Sequence, residues 1–175
     1  MKKIITTLLI SGTLSCFLLS CNDKKERTKE NNKTEVLKSN NLEVIIDAKF
    51  KKNDLIRLYY MEENDKEFSI QKSITKNVYA DDSFQIYDFV IPTSVKIKDI
   101  QIQLTELRQE EAVIKNITFK RGENKIDGSD GAYLKYFISN ESINYNQDDY
   151  TFKFKTKNNV FLNSTDELKK SLNSL

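Results

Sequence analysis

Two pairs of residues in this sequence combine an aromatic ring with a positive charge. Tyr59 follows Arg57 by two positions and Tyr133 precedes Lys135 by two, so each pair shares one face of an extended strand. A tyrosine on a polar face can stack on a sugar ring and hydrogen-bond through its hydroxyl. Arg57, Tyr59, Tyr133 and Lys135 are therefore the predicted ligand-binding residues. Packing within the sheet is the alternative, and the absence of tryptophan favours it.

Side chains suited to catalysis or metal binding are scarce. Histidine is absent from the 175 residues, which excludes Ser-His-Asp and Cys-His arrangements and the usual zinc sites. Glycoside hydrolysis needs two carboxylates about 5–9.5 Å apart across a cleft. The acidic pairs here are neighbours in polar segments: Glu62-Glu63, Asp81-Asp82, Glu110-Glu111 and Asp148-Asp149. We predict a protein that is not an enzyme and has no cofactor.

One loop has a composition compatible with calcium. Asp127-Gly128-Ser129-Asp130-Gly131 offers two carboxylates in a glycine-containing turn, and hard cations take several oxygen ligands from such loops. The segment lacks the third acid and the bidentate glutamate of an EF-hand. A plain turn is the favoured interpretation, and a calcium site is the alternative.

The N-terminal residues have the anatomy of an export signal. Two lysines precede an apolar run over residues 4–19, which is shorter than the about 20 residues of a transmembrane helix. Phe17-Leu18-Leu19-Ser20-Cys21 resembles the lipobox of bacterial lipoproteins, in which the cysteine is acylated. Thr13 stands where a lipobox ending at Cys16 would need an aliphatic residue, so Cys21 is the predicted lipidation site. The resemblance implies a palmitate-bearing protein anchored in the cell envelope, expected at the outer membrane and facing the periplasm or the surface.

The charge balance argues against a nucleic-acid partner. The 28 basic and 26 acidic residues give a net charge of +2, and two of the basic residues, Lys2 and Lys3, belong to the signal. The rest is neutral, so it has no basic excess for phosphate backbones. Residues 21–41 hold many charges and few apolar side chains, and this composition predicts a flexible linker.

Short runs of alternating apolar and polar residues, typical of strands, begin at Leu42. The run Phe84–Ile91 is apolar on both faces, which predicts a central strand, and Ala132–Ile138 is predicted as another strand. Ser164-Thr165-Asp166-Glu167 fits a capping box and predicts a short C-terminal helix. We predict an all-β fold, an antiparallel, jelly-roll-like β-sandwich. The expected parts are a signal peptide (1–20), lipidated Cys21 with its linker (21–41), the sandwich (42–160) and a helical tail (161–175).

The strand runs from Leu55 to about Lys125 support a second, weaker resemblance. It is carried by Leu55–Tyr60, Phe68–Ile70, Phe84–Pro92, Ile100–Leu104 and Ile114–Phe119. In spacing these runs are similar to the β-sandwich accessory domains of bacterial glycan-handling envelope proteins, which resemble carbohydrate-binding modules. Where such domains tend to carry an Arg and an Asp, this chain has Gln101 and Gln103.

Together these features predict a non-catalytic binding module at the cell envelope, with a glycan or envelope polymer as ligand. The alternative is a protein-interaction lipoprotein: an accessory subunit of an envelope complex, an inhibitor or an immunity factor.

Overall fold

The computed structural model describes residues 40–92, 96–107 and 109–175, and within them eleven strands and one α-helix form. In chain order the strands are β1 (Leu42–Phe50), β2 (Asp54–Glu62), β3 (Ser73–Val78), β4 (Gln85–Ile91), β5 (Ile97–Gln103), β6 (Glu111–Arg121), β7 (Asn124–Ile126), β8 (Phe137–Ser139), β9 (Ile143–Asn146), β10 (Thr151–Phe154) and β11 (Phe161–Ser164). Helix α1 spans Asp166–Leu172. No helix in these ranges is both long and apolar enough to cross a membrane.

The strands form two antiparallel sheets packed against each other. Sheet A has the order β4-β1-β6-β10-β9, with β7 paired to β6, and sheet B has the order β3-β2-β5-β11-β8. The chain changes sheet between β1 and β2, between β3 and β4, and again on either side of β5, so the two layers are linked several times. The predicted antiparallel β-sandwich with a short C-terminal helix is confirmed.

Alternation along the strands explains how the core forms. Every second residue of β1 is buried, from Leu42 to Phe50, and faces Ile56 and Leu58 of β2 in the opposite sheet. Leu168 of α1 packs into the same core. Both sheets and this core belong to one compact unit, so we expect the sandwich to fold without residues 1–21.

Strand β4 lies at an edge of sheet A, so the prediction of a central strand over Phe84–Ile91 is wrong. Tyr87 and Phe89 point into the core, whereas Ile86 on the opposite face is 63% exposed. The outer face of β4 carries large apolar side chains although no other layer of the sandwich covers it.

The strand predicted over Ala132–Ile138 is also largely wrong. Ser129–Lys135 instead forms two short 3₁₀ turns joined at a kink at Asp130 and Gly131, whose φ angles are 53° and 79°, so the chain is not extended where it enters this segment. Only Phe137–Ser139 forms a strand, β8. The predicted domain boundary at residue 160 is too early, since β11 (Phe161–Ser164) lies between β5 and β8 in sheet B.

Candidate ligand-binding face

The outer face of sheet B carries two rows of side chains that run across its strands. The register places Thr75, Arg57, Gln103 and Phe161 side by side in one row, and Ser73, Tyr59, Gln101, Asn163 and Ile138 in the other. Directly opposed residues in antiparallel strands have Cβ atoms about 4.5–5.5 Å apart. The two rows therefore make one continuous surface, mostly of uncharged polar and aromatic groups, which we call the sheet B face.

The Tyr59 ring, half-buried at the centre of this face, is held on several sides. The rings of Phe68 and Phe161 meet it edge-on, with centroids 6.4 and 6.5 Å away. The Arg57 guanidinium carbon lies 5.8 Å from the Tyr59 centroid, a cation–π distance. The Tyr59 hydroxyl donates to Oε1 of Gln103 at 3.2 Å. As predicted from their spacing, Arg57 and Tyr59 share one face of their strand.

Arg57 is neutralised by a neighbouring carboxylate. Its Nε donates to Oε1 of Glu106 at 2.5 Å, and its Nη1 donates to the Ser73 hydroxyl at 3.2 Å. The hydrogen bond to Glu106 is the main reason that the Arg57 pKa is raised. The Arg57 and Glu106 side chains are only 18% and 19% exposed. The pair thus adds no net charge to the sheet B face.

The buried carboxylate of Asp54 shapes the loop that presents Glu106. Its two oxygens accept hydrogen bonds from the Thr105 hydroxyl at 2.5 Å and from the backbone N–H groups of residues 106, 107 and 109 at 3.2, 3.0 and 2.9 Å. A buried carboxylate is stable only when its lone pairs are satisfied in this way. The sequence does not single out Asp54, because it follows the polar residues Lys51-Lys52-Asn53 and so has the pattern of an exposed turn.

Three amide side chains give the sheet B face its hydrogen-bonding groups. Gln101 Nε2 donates to Asn163 Oδ1 at 2.7 Å, and Gln103 Nε2 donates to the Thr105 carbonyl at 3.0 Å. A primary amide has two N–H donors and two oxygen lone pairs, so one bond at each end leaves capacity for a ligand. These amides are fixed in orientation and still able to bind hydroxyl groups. Their place beside Tyr59 follows from strand register, which the sequence pattern does not specify.

The other predicted pair, Tyr133 and Lys135, does not lie on this face. Tyr133 is fully buried, and its hydroxyl donates to the Ile114 carbonyl at 2.7 Å. Burial is the main reason that its pKa is raised. Lys135 is exposed, with Nζ 4.7 Å from the Tyr136 ring centroid and 3.4 Å from a Glu167 oxygen. The prediction of an exposed Tyr133 platform is wrong, because the 3₁₀ turns direct this side chain into the core.

The Asp127–Gly131 loop uses its first carboxylate for its own turn. Asp127 Oδ1 accepts from the Ser129 hydroxyl at 2.5 Å and from the Ser129 N–H at 3.1 Å, and Lys125 Nζ lies 3.1 Å from Oδ2. These contacts, the hydroxyl bond first, lower the pKa of Asp127 from 3.8 to about 2. Within residues 40–92, 96–107 and 109–175, no group of three or more His, Cys, Asp or Glu residues could hold a metal ion. The Asp127 carboxylate therefore stabilises the turn in which it lies.

The predicted lipidation site, Cys21, and the rest of the signal and linker up to residue 39 lie outside the described residues. Compared with protein-family models, curated proteins and solved structures, the chain matches none.

Proposed function

We propose that this protein is an envelope lipoprotein, acylated at Cys21, whose β-sandwich binds a glycan or another envelope polymer without catalysis. The observation that carries the proposal is the sheet B face, where Tyr59 and three ordered amides form an uncharged surface rich in donors and acceptors. The export signal and lipobox-like motif support the location.

The chemistry of the sheet B face suits a sugar chain. Sugar hydroxyls both donate and accept hydrogen bonds, as do the amides of Gln101, Gln103 and Asn163. The apolar side of a sugar ring can lie against aromatic rings such as Tyr59 and Phe161. Because most of these side chains are already held by neighbours, binding costs little additional ordering entropy.

A second candidate function, a protein-interaction lipoprotein, is favoured by the edge strand β4. Its outer face exposes Ile86 and Val90, and Phe84 lies just before the strand, 43% exposed. An edge strand offers unpaired backbone groups that can pair with an extended segment of another protein. An accessory subunit, inhibitor or immunity factor could use such an edge.

The glycan proposal is tested by screening the soluble chain 22–175 on a glycan array and by polysaccharide pull-down. Tyr59→Ala and Gln101→Ala should each reduce binding about 3- to 10-fold, as expected from the loss of about 0.5–1.5 kcal/mol. Tyr79→Ala is the matched control, because Tyr79 is 57% exposed but follows β3 and is outside both rows. Absence of binding to any glycan, or an equal loss of glycan affinity in all three variants, contradicts the proposal. Either result would favour the second candidate function, a protein partner at β4.

The lipid anchor is tested separately by metabolic labelling of the full chain with palmitate. Cys21→Ser should abolish the label, whereas Cys16→Ser should retain it. Label that persists in Cys21→Ser and is lost in Cys16→Ser would place the modification at the other cysteine. Label in neither wild type nor variant contradicts the lipoprotein assignment.

A further inference from the structure

A cleft of about 410 Å³ opens at the side of the sandwich where β8 ends sheet B and β9 ends sheet A. It is lined by Tyr133, Leu134, Phe137, Ile138, Ser139, Tyr145, Gln147, Phe152 and Leu162. Phe152 comes from sheet A and Leu162 from sheet B, so the cleft lies between the two layers. It shares Ile138 with the end of one row of the sheet B face, but it lies between the two sheets and does not include Tyr59 or the three amides.

The lining is apolar at its floor, and its polar groups, which include the buried Tyr145 hydroxyl, are uncharged. The buried side chains of Phe137, Phe152 and Leu162 form its floor. Ile138, at the mouth, is 62% exposed, so its apolar surface is available to a bound molecule. Ser139 and Gln147 supply the polar groups of the opening, and none of the lining residues carries a charge.

The size and chemistry of the cleft define its ligand. Small-molecule sites are typically apolar concave spaces of about 300–1,000 Å³ with a few polar groups, and this cleft lies near the lower end of that range. A charged head group would be desolvated here without a counter-charge. We propose that the cleft binds a neutral single-chain amphiphile, with its alkyl chain between the sheets and its polar head near Ser139 and Gln147.

The binding test titrates octyl glucoside, kept below its micelle concentration, into the isotope-labelled soluble chain 22–175 and follows amide shifts by NMR. We expect saturable one-to-one binding with the largest shifts in residues 134–147, and no such shifts with glucose alone. Shifts spread over the whole surface, equal shifts with glucose, or no saturable shifts would overturn the proposal.

Two variants test whether the cleft itself is the site. Ser139 pairs with the buried Leu162 and faces inward with it, so Ser139→Phe should fill the cleft and weaken octyl glucoside binding at least 10-fold. If Ser139→Phe does not fold, Leu134→Glu places a charge in the lining and should weaken binding by a similar factor. Ile86→Ser removes an exposed apolar side chain on the other sheet and should leave the affinity unchanged. Full binding in the cleft variants, or a loss in Ile86→Ser as large as theirs, would contradict the assignment.

Discussion

The buried carboxylate of Asp54 should contribute more to stability than any single contact on the sheet B face. Asp54→Ala removes the acceptor of four hydrogen bonds from the loop at residues 105–109. The Glu106 and Leu107 backbone groups lie near solvent and can be rehydrated, whereas Thr105 and Gln109 are buried. The Gln109 N–H also donates to Thr105 Oγ1 at 3.2 Å, so of these two buried donors the Thr105 hydroxyl is the one that loses its partner. A buried donor without a partner costs about 1–3 kcal/mol, which predicts a loss of about 2 kcal/mol.

The measurement is urea and thermal unfolding of the soluble chain 22–175, followed by circular dichroism. For a domain of this size about 3 °C of Tm corresponds to 1 kcal/mol, so Asp54→Ala should lower the Tm by roughly 6 °C. Asp54→Asn keeps one acceptor oxygen and should fall between Asp54→Ala and wild type. The control is Asp81→Ala, whose carboxylate also accepts from a backbone N–H, that of Ser83 at 2.8 Å, but on the exposed surface. We expect it to lose less than about 1 kcal/mol. Equal losses in Asp54→Ala and Asp81→Ala would refute the assignment of a buried anchor.

Four further substitutions have defined outcomes. Gly131→Ala should cost about 2 kcal/mol in thermal unfolding, because φ is +79° and a Cβ would lie 2.8 Å from the Tyr150 ring. Gly122→Ala, at φ +59° with no atom within 4 Å of its Cβ, should cost only about 1 kcal/mol. Thr165→Ala removes the N-cap of α1 and should lower the urea midpoint by the equivalent of about 1 kcal/mol at unchanged m. The folded pKa of Asp127, about 2 against an ordinary 3.8, adds stability above pH 3.8 that is lost as the pH falls toward 2. Asp127→Asn should therefore lower the urea midpoint at pH 7 and reduce its acid dependence below pH 4.

The sequence predicts the layers of this fold well where one face of a strand is buried. In β1 the apolar residues recur at every second position, and the structure buries each of them. The C-terminal helix was also predicted from local signals, although its N-cap is Thr165 and not the preceding serine. Both features depend on residues that are close together in the chain, so they can be predicted from the sequence alone.

Elements that depend on distant contacts were predicted less well. An apolar run such as that of β4 is equally compatible with a central strand and with an edge strand that exposes Ile86, since periodicity does not report what covers the outer face. The segment around Tyr133 has strand-like composition, but it forms a 3₁₀ turn after a kink at Asp130 and Gly131. A tyrosine in such a turn can be directed inward, which the two-residue spacing to Lys135 did not predict.

The candidate site likewise combines a feature that local spacing predicts with features that depend on distant contacts. The spacing of Arg57 and Tyr59 predicts that they share a face, and they do. Gln101, Gln103 and Asn163 reach the same surface only because β5 and β11 pair beside β2 in a particular register. Register is set by the packed core and the turns, so it requires the three-dimensional structure.

The order of the sheet B face also depends on a residue that lies behind it. Asp54 fixes the loop from the core side, the loop presents Glu106 to Arg57, and the Arg57 guanidinium lies against the Tyr59 ring. A ligand on the outer face would therefore contact Tyr59, and the position of Tyr59 depends on the buried carboxylate of Asp54. Asp54→Asn should weaken the hydrogen bonds of this carboxylate without unfolding the sandwich. The Tyr59 side chain should then be more mobile, so binding would cost more of its conformational entropy. Stability and ligand affinity should then fall together in Asp54→Asn, whereas Gln101→Ala should lower affinity alone.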